Sequence, residues 1–122
     1  MAGIVPVDIA MEAGELHTGY RDLRVATPSL LGAEGTRLRG HEFHFSRVIS
    51  GAECLNPAYS MHDSEGEPLG CEGWTSGNLV ASFVHLHFGQ DEQLATRLVA
   101  AARTAAADRR SLVGERGSAA LV

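Results

Sequence analysis

The chain has 122 residues, 44% of them hydrophobic and 20% charged, which is enough for one globular domain and too apolar for a disordered segment. A formal net charge of −5, with all ten basic residues Arg, argues against a general nucleic-acid binder, which would carry a basic stripe. No apolar run approaches the ~20 residues needed to cross a bilayer as a helix.

Met1 leads directly into Gly3–Val7, a short apolar run cut by Pro6 and suited to an edge strand or to a loop entering the middle of a fold. With no secretory n-region or apolar h-region, a cytoplasmic protein is expected. Leu16–Ala26 carries a strand signal containing Gly19-Tyr20-Arg21. Thr27-Pro28-Ser29 and Gly32–Gly35 then mark a loop. Thr36–Ile49 reads as a strand, with Arg39, His41, Phe43 and Phe45 on one face and Leu38, Glu42, His44 and Val48 on the other. Ala58–Met61 and Leu69–Trp74 form a predicted hairpin about the turn Ser64–Pro68.

After Gly77-Asn78, Leu79–Phe88 is apolar on both faces and reads as a central, covered strand. From Asp91 the spacing of Leu94, Leu98, Ala101, Ala102 and Ala105 predicts a helix, with Arg97 and Arg103 outward and Arg109-Arg110 in its last turn. Residues 1–112 are expected to be structured and 113–122 to form a flexible tail.

Histidine carries the chemistry that stands out. Imidazole titrates near neutrality and serves both as proton carrier and as metal ligand. His41-Glu42-Phe43-His44 departs from the helical zinc pattern His-Glu-x-x-His by one residue, and on a strand its two rings point to opposite faces. His85-Leu86-His87 is different. At i and i+2 on a strand both rings face one way, ~6–7 Å apart along the chain, which suits a base and its orienter or two ligands of one metal. Their plain alternative is a pair of satisfied strand-end histidines. Cys54 and Cys71 lie in no Cys-x-x-Cys pair and lack an obvious activator, so both are expected to be free, buried thiols, a single disulfide being the alternative that a reducing compartment disfavours.

Leu16–Arg21, Leu38–Ser46, Glu72-Gly73-Trp74 and Gly77–Phe88 together resemble, in order and spacing, the C-terminal end of cobyrinic (or hydrogenobyrinic) acid a,c-diamide synthases. Met1–Val7 resembles the stretch just downstream of that family's nucleophile turn, and the resemblance reaches to about Leu98. It implies an α/β fold, the C-terminal half of a class I, triad-type glutamine amidotransferase domain, here mainly β-strands and hairpins with one C-terminal helix. It also implies His85 as general base and acid, with His87 standing where related glutaminases place an orienting Glu. The resemblance gives no role to Gly40–Ser46; His41, Glu42 and His44, with Tyr20 and Arg21, are expected on a substrate-facing or inter-domain surface.

The family's Gly-x-Cys-Gly-Gly turn does not occur in this sequence. The resemblance therefore implies a chain that is inactive alone and needs a segment or partner carrying the nucleophile. Glutamine and a corrin would be substrates of the complete enzyme, and Mg-ATP would bind a separate amidoligase domain, with no cofactor or metal held in this chain. A half-domain would expose apolar surface and self-associate, giving a homo-oligomer. No nucleic-acid or membrane partner is expected. Two other readings stay open: an inert binding or scaffolding module of the same shape, and a small metal protein using His85, His87 and a distant ligand.

Overall fold

The computed structural model describes residues 3–51 and 54–119. Its strands are β1 (Val7–Met11), β2 (His17–Val25), β3 (Arg37–His44), β4 (Ser46–Gly51), β5 (Tyr59–His62), β6 (Pro68–Glu72), β7 (Trp74–Ser76), β8 (Leu79–Ala81) and β9 (His85–Leu86). A 3₁₀ turn, Phe88–Gln90, and one helix, α1 (Glu92–Ala119), follow. The protein is thus mainly β-strands and hairpins with one C-terminal helix.

A five-stranded sheet in the order β6-β5-β2-β3-β9 forms the body, every neighbour antiparallel. Register assigns its two faces. Leu23 opposes Leu38 and Met61, and Val25 opposes Tyr59, so these side chains share the inner face. Leu31, Ala58, Val84 and Leu94 close over them as the core. The alternate positions Thr18, Tyr20, Arg37, Arg39 and Phe43 are exposed on the outer face, the pattern of a sheet covered on one side. β1 pairs with β4, and β7 with β8, as separate two-stranded ribbons.

The β5–β6 turn is held by Asp63, whose Oδ1 accepts the Glu65 and Glu67 N–H groups at 2.9 Å each. These bonds, with the Glu67 N–H foremost, hold the Asp63 carboxyl below its usual range. The helix opens at Asp91, whose Oδ1 accepts the Gln93 N–H at 2.9 Å.

Gly3–Pro6 enters as a loop, one of the two forms expected of this run, and the first strand is Val7–Met11. Four expectations change. Thr36–Ile49 divides into β3 and β4, which belong to different sheets. Leu79–Phe88 divides into β8 and β9, and β9 is the sheet's edge, not its centre. The helix runs past Leu112 to Ala119, through residues expected to be tail; residues 120–122 lie outside the described ones. Finally, Cys54 and Cys71 are not free thiols. They are joined in a disulfide, Cα to Cα 5.7 Å apart, because the hairpin brings β6 beside the turn at Cys54. Among the described residues no helix is long and apolar enough to cross a membrane.

Candidate active site

The site is built where β9 meets β3. Gly40 pairs with Leu86 and His41 with His85. A Cβ on Gly40 would collide with the Val84 side chain and stand 2.9 Å from the His85 carbonyl oxygen. Glycine is therefore what lets β9 lie this close. His85 stands exposed on the outer face, where an open concavity of about 470 Å³ is lined by Tyr20, Arg39, His41, His85, His87 and Gln90, among others. Tyr20 packs edge-on against His41, with ring centroids 5.2 Å apart. Arg39 is paired with Asp22 at 3.0 Å beside them.

His85 and His87 thus line one concavity, although only His85 belongs to a strand. The His87 ring is engaged by the turn that follows: its Nδ1 accepts the Gly89 N–H at 3.2 Å. A neutral His87 consequently carries its proton on Nε2. The carboxamide of Gln90 pairs with the backbone of β3, Oε1 accepting the Arg39 N–H at 2.7 Å and Nε2 donating to the Arg39 carbonyl at 2.8 Å.

Arg21, Glu42 and His44 occupy inner-face positions of β2 and β3; Arg21 also lines the concavity beside Tyr20 and His41, whereas Glu42 and His44 do not. The Arg21 Nε donates to Glu42 Oε2 at 2.6 Å, and Glu42 is only 5% exposed. Gly19 makes room for this guanidinium, since a Cβ there would stand 2.7 Å from Arg21 Nη1. His44 lies 3.2 Å from the other Glu42 oxygen through Nε2, and its Nδ1 lies 2.7 Å from the Ser46 carbonyl. A carbonyl only accepts, so Nδ1 carries a proton. The ring stacks on Phe83 at 4.2 Å and on His17 at 5.1 Å. Arg21 thus holds one Glu42 oxygen and His44 stands beside the other, an arrangement that orders this part of the inner face.

Phe83 is in turn held by a residue not singled out from the sequence. Glu72 Oε1 accepts the Phe83 N–H at 2.8 Å, and Oε2 accepts the Ser82 hydroxyl at 2.6 Å. Burial pushes the Glu72 carboxyl above the usual carboxylate range, and the bonds from Ser82 and Phe83 pull it partly back. The presence of Glu72-Gly73-Trp74 among the family-like stretches is the signal that could have pointed to it. Gly73 sits at φ +74°, and a Cβ there would stand 2.8 Å from the Ala81 carbonyl oxygen and 2.9 Å from the Ala58 Cβ, so glycine leaves room for the chain to bring Glu72 to Ser82.

A potential ligand group within 4.8 Å of one another is Glu12, Glu15 and His17, near the start of β2 and apart from His85 and His87. Glu12 is engaged by Arg47, which holds its carboxyl below the usual range.

The CobB/CobQ-like glutamine amidotransferase domain family matches residues 1–93. A cobyrinate a,c-diamide synthase of Salmonella typhimurium is 34% identical over 103 residues, 84% of this chain and 22% of that protein. A second cobyrinate a,c-diamide synthase, from Priestia megaterium, is 30% identical over 113 residues, 93% of this chain and 24% of that protein. A hydrogenobyrinate a,c-diamide synthase of Streptomyces coelicolor is 36% identical over 104 residues, 85% of this chain and 20% of that protein. The chain therefore spans about a fifth to a quarter of the length of these relatives. No solved structure matches it. On the match across residues 1–93 and these relatives, the chain belongs to the CobB/CobQ-like glutamine amidotransferase domain family.

Proposed function

We propose that the chain supplies the proton-transferring part of a class I, triad-type glutaminase, with His85 as general base and acid. The observation that carries this reading is the exposed His85 imidazole at the edge of the sheet, in one concavity with His87, Tyr20 and His41. In the reaction a cysteine thiolate attacks the amide carbon of glutamine. The tetrahedral intermediate collapses to a thioester as His85 protonates the departing nitrogen, and ammonia leaves. His85 then takes a proton from water, which hydrolyses the thioester to glutamate and returns the thiol. His87, whose ring the Gly89 N–H fixes, stands beside the base and can donate from Nε2.

The nucleophile comes from a segment or partner bearing the Gly-x-Cys-Gly-Gly turn. The only two cysteines of this chain bond to each other, which supports an isolated chain that does not turn over glutamine. By likeness to the named relatives, ammonia then passes to the a and c carboxylates of a corrin precursor, activated with Mg-ATP in an amidoligase domain. Cobalamin biosynthesis is the setting this implies.

The test is glutamate release by the chain alone and by the chain mixed with the nucleophile-bearing segment. Turnover only in the mixture, reduced by about 10²–10⁴-fold in His85→Ala, is the expected result. Turnover by the chain alone would defeat the reading. Silence in both, with corrin still bound, would favour an inert module.

A further inference from the structure

β9 is a two-residue strand whose ladder partners are Gly40 and His41 alone. So short a ladder leaves the direction of the His85 side chain underdetermined, yet proton transfer needs its ring held to within a fraction of an ångström. The chain is gripped on both sides of β9 by side chains that bond to backbone.

Upstream, Glu72 reaches across from the end of β6. It accepts the Ser82 hydroxyl at 2.6 Å and the Phe83 N–H at 2.8 Å, while Ser82 Oγ accepts the Val84 N–H at 2.9 Å. The three residues that lead into His85 are thereby tied to one carboxylate. Downstream, the Gln90 amide does what a further strand residue would do, accepting from and donating to the backbone of Arg39, 51 positions away. Arg39 adjoins Gly40, so this grip continues the β3–β9 ladder beyond the place where β9 stops pairing. A partly buried carboxylate is unfavourable unless its bonds are made, and here both oxygens are used on this one loop.

We propose that Glu72 and Gln90 are positioning residues that set the place of the His85 imidazole by holding the chain on either side of β9. The proposal rests on the reading of His85 as the base. Neither side chain touches the reacting atoms. Their removal lowers kcat and leaves the KM for glutamine little changed.

The experiment uses the full chain mixed with the nucleophile-bearing segment, and the variants Glu72→Ala, Glu72→Gln, Gln90→Ala and His85→Ala. Glu72→Ala and Gln90→Ala are each expected to lower kcat by about 10–10²-fold with KM within about twofold, the effect of a displaced catalytic group. Glu72→Gln restores most of the rate, because its carbonyl oxygen still accepts the Phe83 N–H and its amide can donate to Ser82. Amide hydrogen exchange on the chain alone reads the grips without activity: Phe83 exchanges faster in Glu72→Ala, and Arg39 in Gln90→Ala.

Unchanged kcat in Gln90→Ala, with His85→Ala still silent, overturns the role of Gln90 and leaves the base assignment standing. The same result in Glu72→Ala, or failure of Glu72→Gln to restore the rate, overturns that of Glu72. Gln90 is exposed, so its variant keeps the fold and carries the test even where Glu72→Ala does not fold. Turnover that survives His85→Ala, or a wild-type mixture without turnover, removes the base assignment and this proposal with it.

Discussion

Glu72 is a half-buried acid whose bonds are made, and its energetics can be read from pH. Burial raises its folded-state pKa above the ordinary value of 4.5, with Ser82 and Phe83 opposing the shift. Between the ordinary and the raised value the native state holds the proton more tightly than the unfolded chain, so stability is greatest below that window and falls as pH rises through it. Glu72→Gln has no such proton. From about pH 4 to about pH 7, thermal melts should show wild type losing more Tm than Glu72→Gln, and parallel losses would mean that the carboxyl is not raised. Gly40 makes a second argument at this scale. Its φ is ordinary, so Gly40→Ala fails only through space, where the new methyl meets Val84 and the His85 carbonyl. We expect a loss of about 1–3 kcal/mol in denaturant melts, the range for overpacking. Adding Val84→Ala should make the double variant less unstable than the sum of the singles, because it removes the atom the methyl strikes. Strict additivity would show that the collision is not what Gly40 avoids.

Among the elements, β3 was the most legible from sequence and β9 the least. Period-two alternation through Arg37–His44 separates His41 from His44, and register puts them on opposite faces as that alternation requires. The Ser64–Pro68 turn and the start of the helix at Asp91 follow equally local signals, an Asp side chain bonding forward to backbone. Leu79–Phe88 misleads because its composition is continuously apolar. What ends β8 is a polar group ten residues upstream, Glu72, which takes the Ser82 hydroxyl and the Phe83 N–H out of any ladder. Hydrophobic patterning cannot register a capture of that kind. The disulfide stood only as the disfavoured alternative for a related reason: Cys54 and Cys71 are 17 positions apart, and only the pairing of β5 with β6 brings Cys71 back. Closing that loop should stabilise the fold by about 3 kcal/mol on the chain-entropy account. Thiol titration of the unfolded, unreduced protein should find no free thiol, and reduction should shift the denaturant midpoint down by a corresponding amount. Two titratable thiols before reduction would return the pair to the reading made from sequence.

For the molecule as a whole, the distribution of burial separates what holds the fold from what projects from it. The core residues Leu23, Val25, Leu38, Tyr59 and Met61 all come from β2, β3 and β5, and Val84 joins them just before β9. The helix contributes Leu94, which is 0% exposed, and little else: Leu98, Val99, Leu112 and Val113 are all exposed. The helical spacing that predicted a buried face from Leu94 to Ala105 therefore places one residue in the core, because past its first turns α1 has no described layer to pack against. This makes the stability contributed by α1 local to its first turn, where Asp91 caps it and Leu94 anchors it. Leu94→Ala should cost about 2–5 kcal/mol, the range for emptying a fully buried leucine site. Removing the chain from residue 110 onward should leave Tm nearly unchanged, since residues 110–114 are exposed and exposed helix adds little beyond its own marginal propensity. Both are read by thermal unfolding of the chain followed at Trp74. A truncation that unfolds the sheet, or a Leu94→Ala variant that melts like wild type, would show that the helix is held to the body by its distal half and not by its first turn.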